Sequence, residues 1–167
     1  MHNELTRKDI ELMRRELEHR RLVLRPRLIQ AVKEARAFGD LSENFEYKAA
    51  KQEKNRNDSR CRYLENMIKT AVVVSEKSAE GTVGLYDRVT LRVEDSGAEI
   101  TCQIVTTVRQ DALNGLVSKE SPVGKAVLGR RVGDRVTVQV NDSYSYDVII
   151  RAIEPGEDTG EAPLVGF

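Results

Sequence analysis

The sequence has no tryptophan, few aromatic residues, two cysteines and two histidines, and these shortages exclude several classes of protein. Its uncharged apolar runs are too short for a transmembrane helix, and the N-terminus lacks the apolar segment of a secretory signal. Cys61 and Cys102 form no CxxC pair, and two histidines add too few ligands for a zinc site. We therefore expect a cytoplasmic protein with reduced thiols and no membrane partner.

The absence of net charge conceals an uneven distribution of charge. The chain has 27 Lys+Arg and 27 Asp+Glu, but residues 1–70 hold 17 of the basic and 12 of the acidic residues. Residues 71–167 hold the remaining 10 and 15. A basic half followed by an acidic half suggests two domains with different partners.

The basic half is typical of a pair of long helices. Residues 5–70 are rich in helix formers and contain only one glycine, Gly39, and one proline, Pro26. Thr6 and Asp9 predict a capped start, and Pro26 is expected to bend or break the first arm. The connector at Gly39 predicts an antiparallel coiled-coil hairpin roughly 45 Å long. The predicted seam of its second arm is Tyr47, Ala50, Lys54, Asn57, Cys61, Leu64 and Ile68.

The acidic half changes to a period of two, which predicts antiparallel strands with one buried face. Hairpin turns are expected at residues 95–97 and 141–143. One short helix interrupts the strands, with Ser121 as N-cap, Pro122 in its first turn and Gly129 closing it. The alternating apolar positions are Val89, Leu91, Val93, Ile100, Cys102, Ile104, Val136, Val138, Val140, Tyr146, Val148 and Ile150.

These patterns predict an α+β chain: a helical hairpin followed by a small antiparallel β-sheet domain with one short helix. We assign the hairpin to residues 1–74, with an acidic tip at 39–46, and a linker to 75–84. The β domain is assigned to 85–153, and an acidic, disordered tail to 154–167. The β domain has no histidine and no glycine-rich phosphate loop, so no small-molecule substrate is expected.

The chemistry of the hairpin is concentrated at its tip. Asp40 and Glu43 are three residues apart, which places two carboxylates on one side of a helical turn. Carboxylate oxygens are the ligands that Mg²⁺ prefers, although two of them do not complete its six-coordinate shell. The same Asp-x-x-Glu spacing is also a capping box, which is its commoner use.

Basic and apolar side chains surround the two acids. Arg36, Lys48 and Lys51 could neutralise phosphates, or they could form a solvated flank of the hairpin. The apolar residues at the tip suggest contact with a partner, or a staple that closes the two helices. These apolar residues are Phe38, Leu41 and Phe45.

The tip carries a specific motif, GDLSENFEYKAA at residues 39–50. It closely resembles the signature G-D-L-x-E-N-x-E-Y-x-A-A of the bacterial Gre transcript-cleavage factors. Arg25 and Pro26 in the first arm, and GLVSKESPVGKAVLG at residues 115–129, are also similar to that family. The resemblance runs in order from about residue 5 to about residue 153.

The resemblance implies both a fold and an activity. The fold is an N-terminal helical hairpin with a C-terminal domain that is FKBP-like. The activity is stimulation of the endonuclease of bacterial RNA polymerase, so that the factor is not itself an enzyme. The hairpin would enter the secondary channel of the polymerase and promote cleavage of the nascent RNA 3′ end in backtracked complexes.

The resemblance also implies roles for individual residues. Asp40 and Glu43 would help to hold an Mg²⁺ shared with the polymerase, whose own carboxylates complete the site. Arg36 and Lys51 would lie near the RNA 3′ end. The C-terminal domain, with the segment that includes Ser121 and Pro122, would dock on the rim of the channel.

Departures from the family pattern leave alternatives open. Phe38 and Phe45 are bulkier than the residues usual at those positions, Lys51 stands where arginine is common, and the tail has no family role. One alternative is a polymerase-binding regulator that blocks the channel without cleavage. Another is a coiled-coil adaptor in which the tip acids serve only as caps.

Overall fold

A computed structural model describes residues 2–39, 43–76 and 78–166. The chain divides into two compact units. The hairpin unit is Ile10–Ala71, and the β unit combines the described part of Met1–Asp9 with Val72–Gly166. None of the helices in the described residues combines the length and the apolar composition that a bilayer crossing requires. The predicted α+β architecture, a helical hairpin followed by a β-sheet domain, is confirmed.

The helices of the hairpin are α1 (Arg7–His19), α2 (Arg25–Arg36) and α3 (Phe45–Thr70). The predicted cap at the start of α1 is present, since Thr6 and Asp9 exchange side-chain to backbone hydrogen bonds of 2.9 and 3.1 Å. Helices α2 and α3 pack against each other. The two helices are therefore the arms of the predicted hairpin.

A π-helical segment, Arg20–Leu24, joins α1 to α2 and resolves the strain expected at Pro26. Proline removes one backbone donor, and its ring clashes with the carbonyl four residues earlier, here that of Leu22. The N–H of Arg25 bonds the carbonyl of Arg20, five residues back, so the backbone widens just before the proline. The first arm is locally rearranged rather than broken.

The hairpin interior is partly polar. All seven predicted seam positions of α3 are buried or half-buried, including Asn57. Arg60, which lies outside the predicted seam, is also buried and donates to both carboxylate oxygens of Glu16, at 2.8 and 3.2 Å. Arg20 donates to Glu16 and to Asn57. Burial alone would raise the pKa of Glu16, but hydrogen bonds from Arg60 and Arg20 outweigh it and lower that pKa.

The β unit contains a five-stranded sheet. Its spatial order is β5-β4-β3-β7-β6, antiparallel except for the β4–β5 pair, and a separate parallel pair joins β1 to β2. The predicted turns at 95–97 and 141–143 connect β3 to β4 and β6 to β7. The strands are β1 (Glu4–Leu5), β2 (Val72–Val73), β3 (Arg88–Val93), β4 (Glu99–Val105), β5 (Leu116–Ser118), β6 (Arg135–Gln139) and β7 (Ser145–Glu154).

Most of the alternating positions form the core of the β unit. Val89, Ile104 and Val138 are fully buried, as the period of two predicts. Ile100 and Val140 were also expected to face inward, but both are exposed. Ile100 lies near the start of β4 and Val140 follows the end of β6, so both stand at the ends of their strands.

The short predicted helix is present as α4 (Pro122–Val127). Ser121 caps it by accepting a bond from the N–H of Gly124 at 3.1 Å. A Cβ at position 124 would lie 2.8 Å from the Cα of Lys119, so only glycine allows α4 to pack this closely on the segment after β5.

The boundaries of the β unit differ from those drawn from the sequence. Residues 75–84 were assigned to a linker, but Val83 is buried and its N–H bonds the carbonyl of Arg130. Disorder was expected from residue 154 onwards. In the structure β7 extends to Glu154, and the N–H of Val165 bonds the carbonyl of Val108 at 2.8 Å. The described tail therefore packs on the β unit, because backbone and charged partners distant in sequence hold it.

Candidate functional site

The tip of the hairpin is organised by Asn44. Helix α2 ends at Arg36, Gly39 has a φ of +133°, and α3 begins at Phe45 with Asn44 as its N-cap. The side-chain oxygen of Asn44 accepts from the N–H of Tyr47 at 2.9 Å. Its amide nitrogen donates to the carbonyl of Ala35 at 2.7 Å, across to the first arm. One side chain therefore caps the second arm and joins it to the first.

The position of this N-cap determines whether Glu43 takes part in capping α3. The capping-box interpretation required Glu43 to occupy the third position of the helix, but that position is Tyr47. Glu43 instead precedes the N-cap, and it is exposed. Its carboxylate is therefore not consumed in capping α3. Asp40 and Leu41, the other predicted tip residues of this segment, lie outside the described residues.

The basic side chains predicted at the tip lie over aromatic rings. The guanidinium carbon of Arg36 lies 5.3 Å from the ring centre of Tyr47, and the ammonium of Lys51 lies 5.9 Å from the same centre. Arg36 also donates to the Tyr47 hydroxyl at 3.1 Å, and this bond lowers the pKa of Tyr47. Arg36 and Lys51, from opposite arms, are thus brought together by one ring.

The third predicted cation, Lys48, lies over a different ring. Its ammonium is 5.7 Å from the ring centre of Phe45. Phe45 is 80% exposed and Phe38 is 76% exposed, so neither ring is buried between the arms of the hairpin. The apolar staple considered for these two residues is therefore absent.

The predicted docking residues lie in the β unit and have structural roles. The hydroxyl of Ser121 donates to the carbonyl of Ser118 at 2.6 Å, in addition to capping α4. Pro122 is the first residue of α4 and is exposed. Of the two, Pro122 is the residue free to meet a partner through its side chain.

Comparison with known proteins identifies the family. Residues 3–73 match the family described as "Transcription elongation factor, N-terminal", and residues 77–155 match "Transcription elongation factor, GreA/GreB, C-term". The chain belongs to the GreA/GreB family of transcription elongation factors. The family resemblance carried by the tip motif is thereby confirmed.

Individual relatives agree with this membership of the GreA/GreB family. Transcription elongation factor GreA of Geobacillus kaustophilus is 44% identical over 136 residues, which cover 81% of this chain and 86% of that protein. Transcription elongation factor GreA of Alkalilimnicola ehrlichii is 42% identical over 148 residues, covering 87% and 94%. The crystal structure of GreA factor homolog 1 (Gfh1) of Thermus thermophilus is 30% identical over 91% of this chain and 98% of that one, with a TM-score of 0.41.

The described donor at this GreA/GreB tip is of the type that a hard metal ion binds. Glu43 offers exposed carboxylate oxygens, which are hard ligands suited to Mg²⁺. Within residues 2–39, 43–76 and 78–166, no three histidine, cysteine or carboxylate side chains cluster as metal ligands.

Two residues of this GreA/GreB tip have roles that the sequence patterns do not predict. Asn44 and Tyr47 stand inside the family motif, yet Asn44 was not recognised as the cap or Tyr47 as the seat of two cations. The signal for Asn44 was available, since asparagine is among the strongest N-cap residues. The gathering of cations by Tyr47 depends on both arms and has no local signal.

The two bonds of Asn44 can be separated by substitution. We expect Asn44→Ala to lower the free energy of unfolding of the hairpin by about 2 kcal/mol, since it loses a cap and a hydrogen bond. Asn44→Asp keeps the acceptor for Tyr47 but faces the Ala35 carbonyl with an oxygen, so a loss of about 1 kcal/mol is expected. Amide exchange at Tyr47 should stay slow in Asn44→Asp and become fast in Asn44→Ala. Equal stability of Asn44→Asp and wild type would contradict the cross-arm bond.

Proposed function

We propose that this chain binds RNA polymerase through its secondary channel and stimulates Mg²⁺-dependent cleavage of backtracked nascent RNA, which rescues arrested complexes. The observation that carries this proposal is the position of Glu43, exposed and ahead of the Asn44 cap. A carboxylate that is not used to start the helix is available to a partner's active site. Membership of the GreA/GreB family supports the same conclusion.

In this proposal the chain supplies ligands and the polymerase supplies the remainder of the active site. Asp40 and Glu43 place carboxylate oxygens beside those of the polymerase, and the chain is not itself an enzyme. When bound there, Mg²⁺ would activate water and stabilise charge on the phosphate. Asn44 acts through its two hydrogen bonds, which determine where α3 begins and therefore where Glu43 lies.

The cations at the tip are proposed to hold the RNA. Arg36 and Lys51 lie together on Tyr47, which fixes two positive charges from different arms at one place. Such a pair suits a phosphate of the RNA 3′ segment. Lys48 adds a third cation, and the apolar residues Phe38, Leu41 and Phe45 contact the surroundings of the tip.

The β unit is proposed to be FKBP-like and to dock on the polymerase beside the channel, with Ser121 and Pro122 at the contact. The five-stranded sheet with α4 packed against it supports the FKBP-like assignment. The hairpin is proposed to pack as a coiled coil, which the burial of the α3 seam positions supports.

The test is an assay of stalled, backtracked transcription complexes with and without the protein. We expect the wild-type chain to accelerate release of the RNA 3′ fragment and to restore elongation. Binding without fragment release, together with inhibition on templates that do not stall, would instead favour a channel-blocking regulator. Failure to bind core polymerase would leave only the adaptor interpretation.

A further inference from the structure

The Phe45 ring is the most conspicuous feature of the tip that the proposed carboxylate chemistry does not use. It belongs to the first residue of α3 and is 80% exposed, whereas the predicted seam positions of α3 are buried or half-buried. The Lys48 ammonium lies near this ring, but most of the side chain is left in solvent, so the ring adds little to the stability of the free protein. Its exposure therefore points to a contact made with a partner.

The surroundings of Phe45 indicate what kind of partner fits. Phe45 and Lys48 are three residues apart on one face of α3, and the Lys48 ammonium lies 5.7 Å from the ring centre. The other cations of the tip, Arg36 and Lys51, lie on Tyr47. An exposed aromatic ring beside positive charges is the arrangement that binds single-stranded nucleic acid, in which bases stack and phosphates are neutralised.

A purely apolar partner fits this site less well. A hydrophobic wall of protein would have to desolvate the Lys48 ammonium without offering it a countercharge. An RNA strand supplies both a flat base for the ring and a phosphate for the ammonium. Charge complementarity therefore favours RNA.

We propose that Phe45 is a stacking platform for one base of the single-stranded RNA 3′ segment, with Lys48 facing the phosphate next to that base. The inference rests on the proposed function, since that function brings the tip to the RNA. Tyr47 is less suited to this role, because it is half-buried and two cations, Arg36 and Lys51, lie over its ring, whereas Phe45 is exposed and has only Lys48 beside it among the described cations. The platform adds base-dependent binding to a tip whose other contacts are electrostatic.

The experiment measures affinity rather than cleavage. Fluorescently labelled protein is titrated against backtracked complexes whose RNA 3′ segment is intact or carries one abasic nucleotide, moved through each position in turn. We expect Phe45→Ala to weaken binding to the intact complex by at least about 5-fold, which is the lower end of the range for loss of one aromatic–base stack. Phe45→Trp, which keeps a ring, should bind like wild type.

Tyr63→Ala is the matched control. Tyr63 is an exposed aromatic residue of α3 far along the helix from the tip, and Arg60 lies over its ring as Lys48 lies over that of Phe45. Its replacement should change affinity by less than about twofold. At one position of the abasic nucleotide, the affinity of the wild type should fall to that of Phe45→Ala. The affinity of Phe45→Ala should not change when the same base is removed. Non-additive losses of affinity from Phe45→Ala and from the abasic nucleotide would show that the ring and that base interact with each other.

Each other result overturns the platform. If Phe45→Ala weakens binding equally to intact RNA and to every abasic RNA, the ring contacts polymerase protein. If Phe45→Ala binds like wild type, or if Tyr63→Ala loses as much affinity, no specific stack exists. Fragment release is measured on the same complexes: base-dependent binding without release would refute the proposed function and leave the platform standing.

Discussion

Replacing Glu43 by glutamine is expected to lower the rate of transcript cleavage in backtracked complexes by about 100-fold or more. Side chains that merely orient metal ligands cost about 10- to 100-fold when they are changed, and Glu43 is proposed to be a ligand itself. Glutamine keeps the size of the side chain and one oxygen but removes the negative charge. Because Glu43 is exposed and precedes the cap, the fold should tolerate the change.

Glu46→Gln is the matched control for this prediction. Glu46 is an exposed acid in the first turn of α3, so its loss changes net charge and the helix macrodipole in nearly the same way. We expect it to cleave within about threefold of wild type. Glu43→Gln should still compete with wild type for polymerase, because docking does not use the carboxylate. Equal losses of cleavage rate in both variants would mean that the total charge of the tip matters, and that Glu43 is not a specific metal ligand.

Asp40→Asn is expected to reduce cleavage to a similar extent as Glu43→Gln. This expectation comes from the family motif, since Asp40 lies outside the described residues. The double variant should be no worse than about tenfold below either single one, because ligands of one metal site act as a unit. Strictly multiplicative losses would contradict a shared site.

Local signals in the sequence predicted the elements near this site, but not how the helix starts. The motif located the tip, and the glycine and helix formers on either side predicted two arms. The capping box at Asp40 and Glu43 was the commoner interpretation of the spacing, yet Asn44 starts the helix. Two capping signals overlap in this stretch, and the bond from Asn44 to Ala35 selects between them through the other arm.

The sequence predicted an irregularity in the first arm at Pro26, but not which type of irregularity it would be. Pro26 required some irregularity in the first arm, because it lacks a donor and clashes with the preceding turn. A kink, a break or a π-helical widening all satisfy that requirement. The structure adopts the widening at Arg20–Leu24, which keeps the arm helical. The widened segment also contacts α3, a contact between the arms that the local sequence around Pro26 does not predict.

The buried charges of the β unit had no local signal at all. Arg109 is fully buried, and its guanidinium bonds Asp9 at 3.2 Å and Asp158 at 2.8 and 2.9 Å. These partners lie 100 and 49 residues away in sequence. Composition alone made residues 154–167 resemble a disordered tail. A single buried cation is enough to reverse that expectation for Asp158 and its neighbours.

The largest stability effect is expected from removing Asp158. Its carboxylate accepts two bonds from Arg109, while the Arg109 Nε donates to the carbonyl of Ala162 at 2.6 Å. Burial alone would lower the pKa of Arg109, but the hydrogen bonds to Asp158 and Asp9 outweigh it and raise that pKa. Burial raises the pKa of the neighbouring Tyr86, so that phenol stays neutral and contributes no countercharge. Among the described residues, Asp9 and Asp158 are therefore the countercharges of Arg109.

We expect Asp158→Ala to lower the free energy of unfolding of the β unit by about 3–5 kcal/mol, the usual cost of breaking a buried ion pair. Asp158→Asn keeps the shape and one acceptor and should cost less. Because the chain has two units, whole-chain melting is a poor measure, and amide exchange in β3 and β7 reports on the β unit directly.

The neighbouring Glu157 provides the control for the tail. It is an exposed acid one residue away, so Glu157→Ala removes the same charge without touching Arg109, and a change within about 0.5 kcal/mol is expected. If Asp158→Ala is as mild as Glu157→Ala, the tail merely lies on the surface and Arg109 is satisfied without it. If the predicted difference is found, the segment beyond residue 155, where the family match ends, is an integral part of the β unit. Its physical role is then to supply the second countercharge that Asp9 alone cannot provide.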